Sequence, residues 1–286
     1  MKIIRNEHEL KEMSKRMRLK ALQLAYDARD AGAHLGGGLS SIEILATLYG
    51  AVANVDNENP YNEDRDRILM GKAHCVLAYY TALHEVGFIS DKELNSFEKD
   101  GTMFVGHPVR NIEKGIEYSG GSLGMALSVG AGMAIHAKKQ KSLRKIYVLL
   151  GDGECEEGSI WEAMMFASKY QLDNLVAIVD RNKLQSDGLT CDVIGLDNLP
   201  GKFSAFGWEV VQVDGHNVSE LLKAYQTISV NKPLVIIADT VKGKGVSFME
   251  GNVDWHHAEL KEEMYKRARE EIEERGLDNA GNNIKE

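Results

Sequence analysis

The triplet Gly151-Asp152-Gly153 follows the apolar run Ile146 to Leu150, and Asn182 stands just past a second run, Asn174 to Asp180. Short runs of branched aliphatic residues that end in turn signals fit strands buried on both faces of a parallel sheet. Between them, Ile160 to Tyr170 has helical spacing and good helix formers. A strand, helix, strand unit crosses over right-handed almost without exception. Asp152 and Asn182 are therefore expected at the carboxyl ends of two parallel strands, the edge where open α/β sheets bind ligands.

The residue types at that edge suit a metal and a diphosphate. Mg²⁺ prefers hard oxygen donors and keeps phosphate oxygens in its shell, so one carboxylate (Asp152), one amide oxygen (Asn182) and a nearby backbone carbonyl leave room for the anion. A helix starting near Gly158 turns its positive end towards the same place. Two other readings compete. Gly151, Gly153 and Asp180 imitate part of a dinucleotide fingerprint, but Glu156 stands where the third glycine belongs. An isolated Gly-Asp-Gly is also an ordinary strand-to-helix turn.

The rest of the chain predicts one large α/β domain, a parallel sheet with helices on both faces, over residues 1–259, followed by a charged helix and tail over 260–286. Helical periodicity from Leu10 to Ala31 predicts a first helix packed across the sheet edge, and Ser40-Ser41-Ile42-Glu43 has the makings of a capped helix start after the glycines at 36–38. Short strands are expected at Ile68–Met70, Trp208–Val213 and Leu234–Asp239. Gly121 to Ala137 is rich in Gly, Ala and Met, which permits close helix packing and suits a subunit interface. Leu260 to Arg275, dense in Glu, Lys and Arg, reads as a solvated helix.

With 34 basic and 43 acidic residues the net charge is −9, which argues against nonspecific binding to nucleic acid or anionic membranes. No apolar run approaches the ~18 residues of a membrane span, and the N-terminus lacks a signal-peptide core, so a cytoplasmic protein is expected. Cys75, Cys155 and Cys191 have no metal-like spacing and read as reduced thiols.

From Gly151-Asp-Gly-Glu-Cys-Glu-Glu-Gly158 through Asp180-Arg-Asn182 to Gly188, the chain resembles the thiamine diphosphate motif of the transketolase family, with Arg181 where many thiamine enzymes have a first asparagine. Further motifs follow in family order. His34-Leu-Gly-Gly-Gly38, Lys72-Ala-His74 and Gly106-His107-Pro108 resemble its histidine segments, and Trp255-His256 falls where a late active-site histidine is found. Ser119-Gly-Gly-Ser-Leu-Gly124 is similar to the loop over the cofactor, with Ser122 in place of a usual proline.

The resemblance implies thiamine diphosphate as cofactor with Mg²⁺ (or Ca²⁺ or Mn²⁺), the metal held by Asp152, Asn182 and the backbone of Leu184. It implies cofactor contacts from Lys72, His74, Gly121, Ser122, Leu123, Gly153, Asn182, Lys244 and His256, and a reaction centre lined by His34, His107 and His256. Glu157 matches a glutamate that meets, across the family's dimer interface, the glutamate activating the cofactor's pyrimidine ring. The implied chemistry is transfer of a two-carbon ketol unit from a ketose (phosphate) to an aldose (phosphate).

A full transketolase also carries a pyrimidine-binding domain and a C-terminal domain. The expectation is therefore an N-terminal subunit that works with a separate C-terminal subunit, as an α2β2 assembly. Two alternatives stand beside it: the equivalent subunit of a 2-oxo acid dehydrogenase or deoxyxylulose phosphate synthase, and a non-catalytic cofactor-binding regulator.

Overall fold

The computed structural model describes residues 4–196 and 198–274. Five strands, β1 (Arg67–Met70), β2 (Ile146–Gly151), β3 (Leu175–Arg181), β4 (Glu209–Asp214) and β5 (Leu234–Asp239), form one sheet in the order β1-β2-β3-β5-β4, with every neighbouring pair parallel. Successive side chains of a strand point to opposite faces. Tyr147, Leu149, Val176, Ile178, Leu234 and Ile236 accordingly enter one core, while Ile146, Val148, Leu150, Ala177, Val179 and Val235 enter another. This two-sided burial is why the strands read as continuous apolar runs.

In chain order the α-helices are α1 (Glu7–Asp27), α2 (Leu35–Ser40), α3 (Ile42–Thr47), α4 (Val76–Glu85), α5 (Asp91–Leu94), α6 (Met125–Lys139), α7 (Gly158–Lys169), α8 (Thr190–Val193), α9 (Leu199–Ala205), α10 (Val218–Tyr225) and α11 (Glu262–Glu274). Residues of α1 to α5, α10 and α11 fill the first core, and those of α6, α7 and α9 fill the second. No helix among the described residues is long and apolar enough to cross a membrane.

Several local expectations are corrected. The first helix starts earlier than Leu10, because Asn6 and Glu9 form a reciprocal capping box: Glu9 N donates to Asn6 Oδ1 (3.0 Å) and Asn6 N donates to Glu9 Oε2 (2.7 Å). This helix packs on α3, α4 and α11 rather than across the sheet edge. The helix expected after the glycines starts at Ile42 as α3, but the glycine cluster itself lies inside a further short helix, α2, and Ser40 and Ser41 turn their hydroxyls to the buried Asp180 instead of capping. The glycines there are demanded by close approach. A Cβ on Gly36 would lie 2.9 Å from Lys242 Cγ and 3.0 Å from Trp255 O, and one on Gly37 would lie 3.1 Å from Lys72 Cε. The C-terminal helix is only half solvated, since Tyr265, Ala268 and Ile272 are buried and Tyr265 stacks on Tyr26 with ring centroids 4.5 Å apart. Cys75 and Cys155 are buried and Cys191 is exposed, all three as free thiols.

Candidate active site

Each strand of the sheet ends at the same edge, and the segments just past those ends carry the candidate site side chains. Lys72 and His74 follow β1; Asp152, Gly153 and Glu154 follow β2; Asn182 and Leu184 follow β3; His216 follows β4; Lys242 follows β5. Beneath them Asp180, with no exposed surface, gathers the pieces. It accepts from Ser40 Oγ (2.6 Å) and Ser41 Oγ (2.8 Å), from Thr240 Oγ1 and from the ammonium of Lys72. Burial would raise its pKa, but Lys72 and the hydroxyl donors outweigh that and hold it down to about 2.

Lys72 is thereby placed differently from a cofactor contact. Its Nζ also donates to Gly37 O (2.7 Å), with Ser40 Oγ and Ser41 Oγ at 3.0 and 3.2 Å. An ammonium has three protons to give. All are directed at protein acceptors, so the lysine binds α2 to the strand ends.

The three oxygens proposed for a metal come from two neighbouring segments, Asp152 just past β2 and Asn182 and Leu184 in the turn just past β3. Asp152 accepts from the backbone N–H of Gly153 (2.9 Å) and of Lys183 (2.5 Å), while Asn182 Oδ1 accepts from Leu184 N (3.1 Å). Burial and the neighbouring charge of Asp180 push the Asp152 pKa up to about 6, the response of a carboxylate short of positive charge. A cation does approach this turn: the ammonium of Lys242 donates to Leu184 O (3.0 Å) and Gln185 O (3.3 Å). Carboxylate, amide and carbonyl oxygens are hard donors that fit a divalent ion of the Mg²⁺ class. Gly153 lies under the side chain of Gln185, which bonds Glu156 through its amide nitrogen (2.9 Å).

Lys242 joins this turn to a group of five imidazoles. The His34 ring centroid lies 5.5 Å from those of His74, His107 and His256 and 4.5 Å from that of His257, and His74 lies 5.2 Å from His256. Two backbone hydrogen bonds join the segments that carry them, between Ala33 N and Ala258 O (3.0 Å) and between Ala258 N and Ala33 O (3.1 Å). Burial first, then the neighbouring imidazoles, lowers the His34 pKa to about 3; burial and Lys242 lower that of His256 to about 4; burial and Lys72 hold His74 well below its usual value. These three rings are neutral at physiological pH. The ammonium of Lys242 donates its remaining proton to His256 Nδ1 (3.0 Å), so His256 carries its own proton on Nε2. The buried Nδ1 of His34 finds no partner among the described residues, an opening that a polar ligand would fill.

The loop Ser119–Gly124 borders the same group. A Cβ on Gly121 would lie 3.9 Å from His107 Cδ2, and Gly121, Ser122 and Leu123 are exposed. Gly124, with φ of 84°, starts α6 in a left-handed conformation that favours glycine. Its N–H donates to Glu154 Oε1 (2.9 Å), and Gly151 N donates to the other oxygen of the same carboxylate (3.1 Å). Glu154 thus ties the loop to β2, and Glu156 is held by Gln185. Of the three acidic residues in this run, only Glu157 is exposed, at the N-cap of α7 with no capping bond from its side chain.

Four important residues escaped the sequence reading as site components. Asp180 lay within an apolar run, Glu154 was one of three closely spaced glutamates (154, 156 and 157) with no signal to single it out, and His257 was hidden by its neighbour His256. The fourth is Lys242. Lys244, the lysine expected near the cofactor, instead points its ammonium at Glu250 (3.7 Å). The two lysines alternate around Gly243, and the sequence spacing alone does not say which one turns inward.

A parallel sheet whose carboxyl edge presents hard oxygens, backbone amides and neutral imidazoles defines a diphosphate-binding α/β enzyme domain. Residues 11–280 match the family model described as transketolase, thiamine diphosphate binding domain, and the chain belongs to that family. It is 42% identical over 268 residues to one of the subunits of apulose-4-phosphate transketolase from Phocaeicola vulgatus, covering 93% of this chain and 94% of that one. Identity to the 6-deoxy-6-sulfo-D-fructose transketolase subunit SqwG of a Clostridium species is 41% over 245 residues, covering 85% of this chain and 89% of that one. The crystal structure of transketolase from Campylobacter jejuni superposes with a TM-score of 0.87 at 31% identity, over 94% of this chain but only 43% of the transketolase chain.

Proposed function

We propose that this chain is the N-terminal subunit of a heteromeric transketolase and transfers a two-carbon ketol unit from a ketose (phosphate) to an aldose (phosphate). The observation that carries the reading is the cluster of imidazoles joined through Lys242 to the oxygen-lined turn at the sheet edge. When bound, thiamine diphosphate supplies the nucleophilic carbon and the electron sink for cleavage beside a ketose carbonyl. Asp152, Asn182 and the carbonyl of Leu184, which also accepts from Lys242, would hold a divalent ion for the diphosphate, and His74, Gly153 and the loop at Gly121 to Leu123 would contact the cofactor. Because its Nδ1 is occupied, His256 offers an N–H to a sugar oxygen, His34, held neutral, binds a sugar oxygen through its ring nitrogens, and His107 takes or returns a proton there.

The partner in this reading is a C-terminal subunit that brings the pyrimidine half of the site and its activating glutamate, to which Glu157 reaches. The similarity to subunits of the same extent in two sugar-specific transketolases supports it. Leu123, Met125 at the start of α6, and Met165 and Phe166 on α7 are exposed apolar side chains, which supports an α2β2 assembly through these helices.

The deciding assay is ketol transfer with thiamine diphosphate and Mg²⁺, for the chain alone and with the product of a neighbouring gene encoding a pyrimidine domain. Xylulose 5-phosphate, apulose 4-phosphate and 6-deoxy-6-sulfofructose serve in turn as substrates. Turnover only in the mixture supports the division into subunits. Turnover by the isolated chain refutes it, and cofactor binding without turnover on any sugar refutes the transketolase reading.

A further inference from the structure

Glu43 lies outside the site, on α3, and is buried with two partners that both grip the turn carrying Lys242. Arg18 Nη2 donates to Glu43 Oε1 (2.7 Å) and Oε2 (3.0 Å), and Arg18 Nε donates to the backbone oxygen of Lys244 (3.0 Å). On the other side, Val241 N donates to His216 Nε2 (2.9 Å). A nitrogen that accepts from a backbone N–H carries no proton, so the proton of His216 is on Nδ1 and is donated to Glu43 Oε2 (3.0 Å).

One carboxylate thus fixes the charge partner of one clamp and the tautomer of the other. The clamps meet the backbone at residues 241 and 244, on either side of Lys242. A third bond, Gly243 N to Gly36 O (2.9 Å), pins the same turn to α2, and the stem of Lys242 lies on Gly36, where a Cβ would come within 2.9 Å of it.

Stability alone is a weak reason for such a cluster. Taking a carboxylate and a guanidinium out of water costs roughly what their attraction returns, whereas fixing a unique geometry is the better-attested use of buried charge. The geometry fixed here ends in the three directed protons of the Lys242 ammonium, two on the carbonyls of the oxygen-lined turn and one on His256 Nδ1. We infer that Glu43 is a positioning residue for the cofactor site: through Arg18 and His216 it sets the 241–244 turn, and through that turn it holds Lys242 between Leu184 and His256. The inference rests on the proposed cofactor site, but not on the identity of the sugar or on turnover.

The test is a double-mutant cycle on the reconstituted complex, reading the dissociation constant of thiamine diphosphate at saturating Mg²⁺ by tryptophan fluorescence, with Trp255 next to His256 as the reporter. Glu43→Gln keeps the shape and removes the charge, and Lys242→Met removes the ammonium. Partners that bond a ligating residue directly are typically worth about 10–100-fold, and Glu43, which acts through further links, belongs at the bottom of that range. Glu43→Gln is expected to weaken binding by roughly tenfold in the wild-type background and by less than about twofold in the Lys242→Met background. Equal loss in both backgrounds makes Glu43 a merely structural residue and overturns the inference, as does no loss in either. Unchanged binding in Lys242→Met also overturns it and removes Lys242 from the cofactor site. If Glu43→Gln does not fold, His216→Gln is measured in the same cycle, since it releases only the Glu43 side of one clamp. Binding that follows this pattern in a complex without ketol transfer leaves the positioning role intact and overturns the sugar chemistry instead.

Discussion

Lys72 and Asp180 form an ion pair with almost no exposed surface, and Asp180, two residues before Asn182, also accepts at its backbone oxygen from Asp152 N (3.3 Å). Two elements far apart in sequence, the end of β1 and the end of β3, are held together by it. Removing one member leaves the other charge buried without compensation, which costs about 3–5 kcal/mol. Lys72→Met is therefore expected to lower the urea midpoint sharply, and Lys72→Met with Asp180→Leu to recover part of the loss. A Lys72→Met protein of unchanged stability that has lost only cofactor affinity would contradict the structural role.

The carboxylate of Glu43 gives a pH dependence with a definite sign. Burial raises its pKa, but Arg18 and His216 together hold it down to about 2, against 4.5 for an unperturbed glutamate. The unfolded chain takes up this proton first as the pH falls. The pH-dependent part of the stability linked to Glu43, on the order of 3 kcal/mol relative to its protonated form, is thus fully present above about pH 5 and lost as the pH falls towards 2. Thermal midpoints between pH 6 and pH 3 should drop more steeply for the wild type than for Glu43→Gln, and parallel curves would count against the assignment.

Neutral imidazoles lead to an NMR experiment. With pKa values lowered to about 3 and about 4, His34 and His256 keep their neutral form throughout the range above pH 5. Their ring carbon-bound proton resonances should stay constant between pH 5.5 and 8, where an ordinary histidine titrates. Replacing either with alanine is expected to reduce kcat/KM of the assembled enzyme by about 10²–10⁴-fold while moving the melting temperature little.

Asp152 separates metal binding from folding. Its oxygens already accept two backbone N–H bonds, and Asp152→Asn keeps an acceptor for one of them. The variant should fold, lose Mg²⁺-dependent binding of thiamine diphosphate by at least about 10-fold, and resemble the wild type treated with a chelator. Equal cofactor affinity with and without the divalent ion would remove the metal from the proposal.

Glu157 distinguishes an interface residue from a helix cap. Its side chain makes no capping bond and is exposed, so Glu157→Ala should change the stability of the isolated chain by no more than about 0.5 kcal/mol. In the complex the same change is expected to lower kcat substantially. An unaltered kcat would reduce Glu157 to the ordinary N-terminal glutamate it resembles in sequence.

What could be read from the chain followed how local each signal was. The strands were legible because residues such as Val148 and Ile178 are buried whichever face they point to, so their runs are apolar throughout. Asp152 and Asn182 were legible because turn chemistry right after such a run locates the sheet edge. The start of α2 was missed because Gly36 and Gly37 look like helix breakers, and only the approach of Lys242 and Lys72 explains them. Lys242 and Glu43 were missed for a related reason, since the first is separated from Lys244 by an orientation and the second acts through contacts with residues about 25 and 173 positions away in the chain.

The pairing of Ala33 with Ala258 has a kinetic side. Nearly the whole sheet lies in sequence between these two residues, so the two hydrogen bonds that bring His34 to His256 and His257 close a very long loop. The entropy of that closure is compensated only once the intervening strands have paired. The imidazole group is consequently a late product of folding, absent from any intermediate in which either end of the chain is still undocked. A ligand that binds this group draws its stabilisation from complete domains alone, which makes the cofactor a selective ligand for chains that have finished folding.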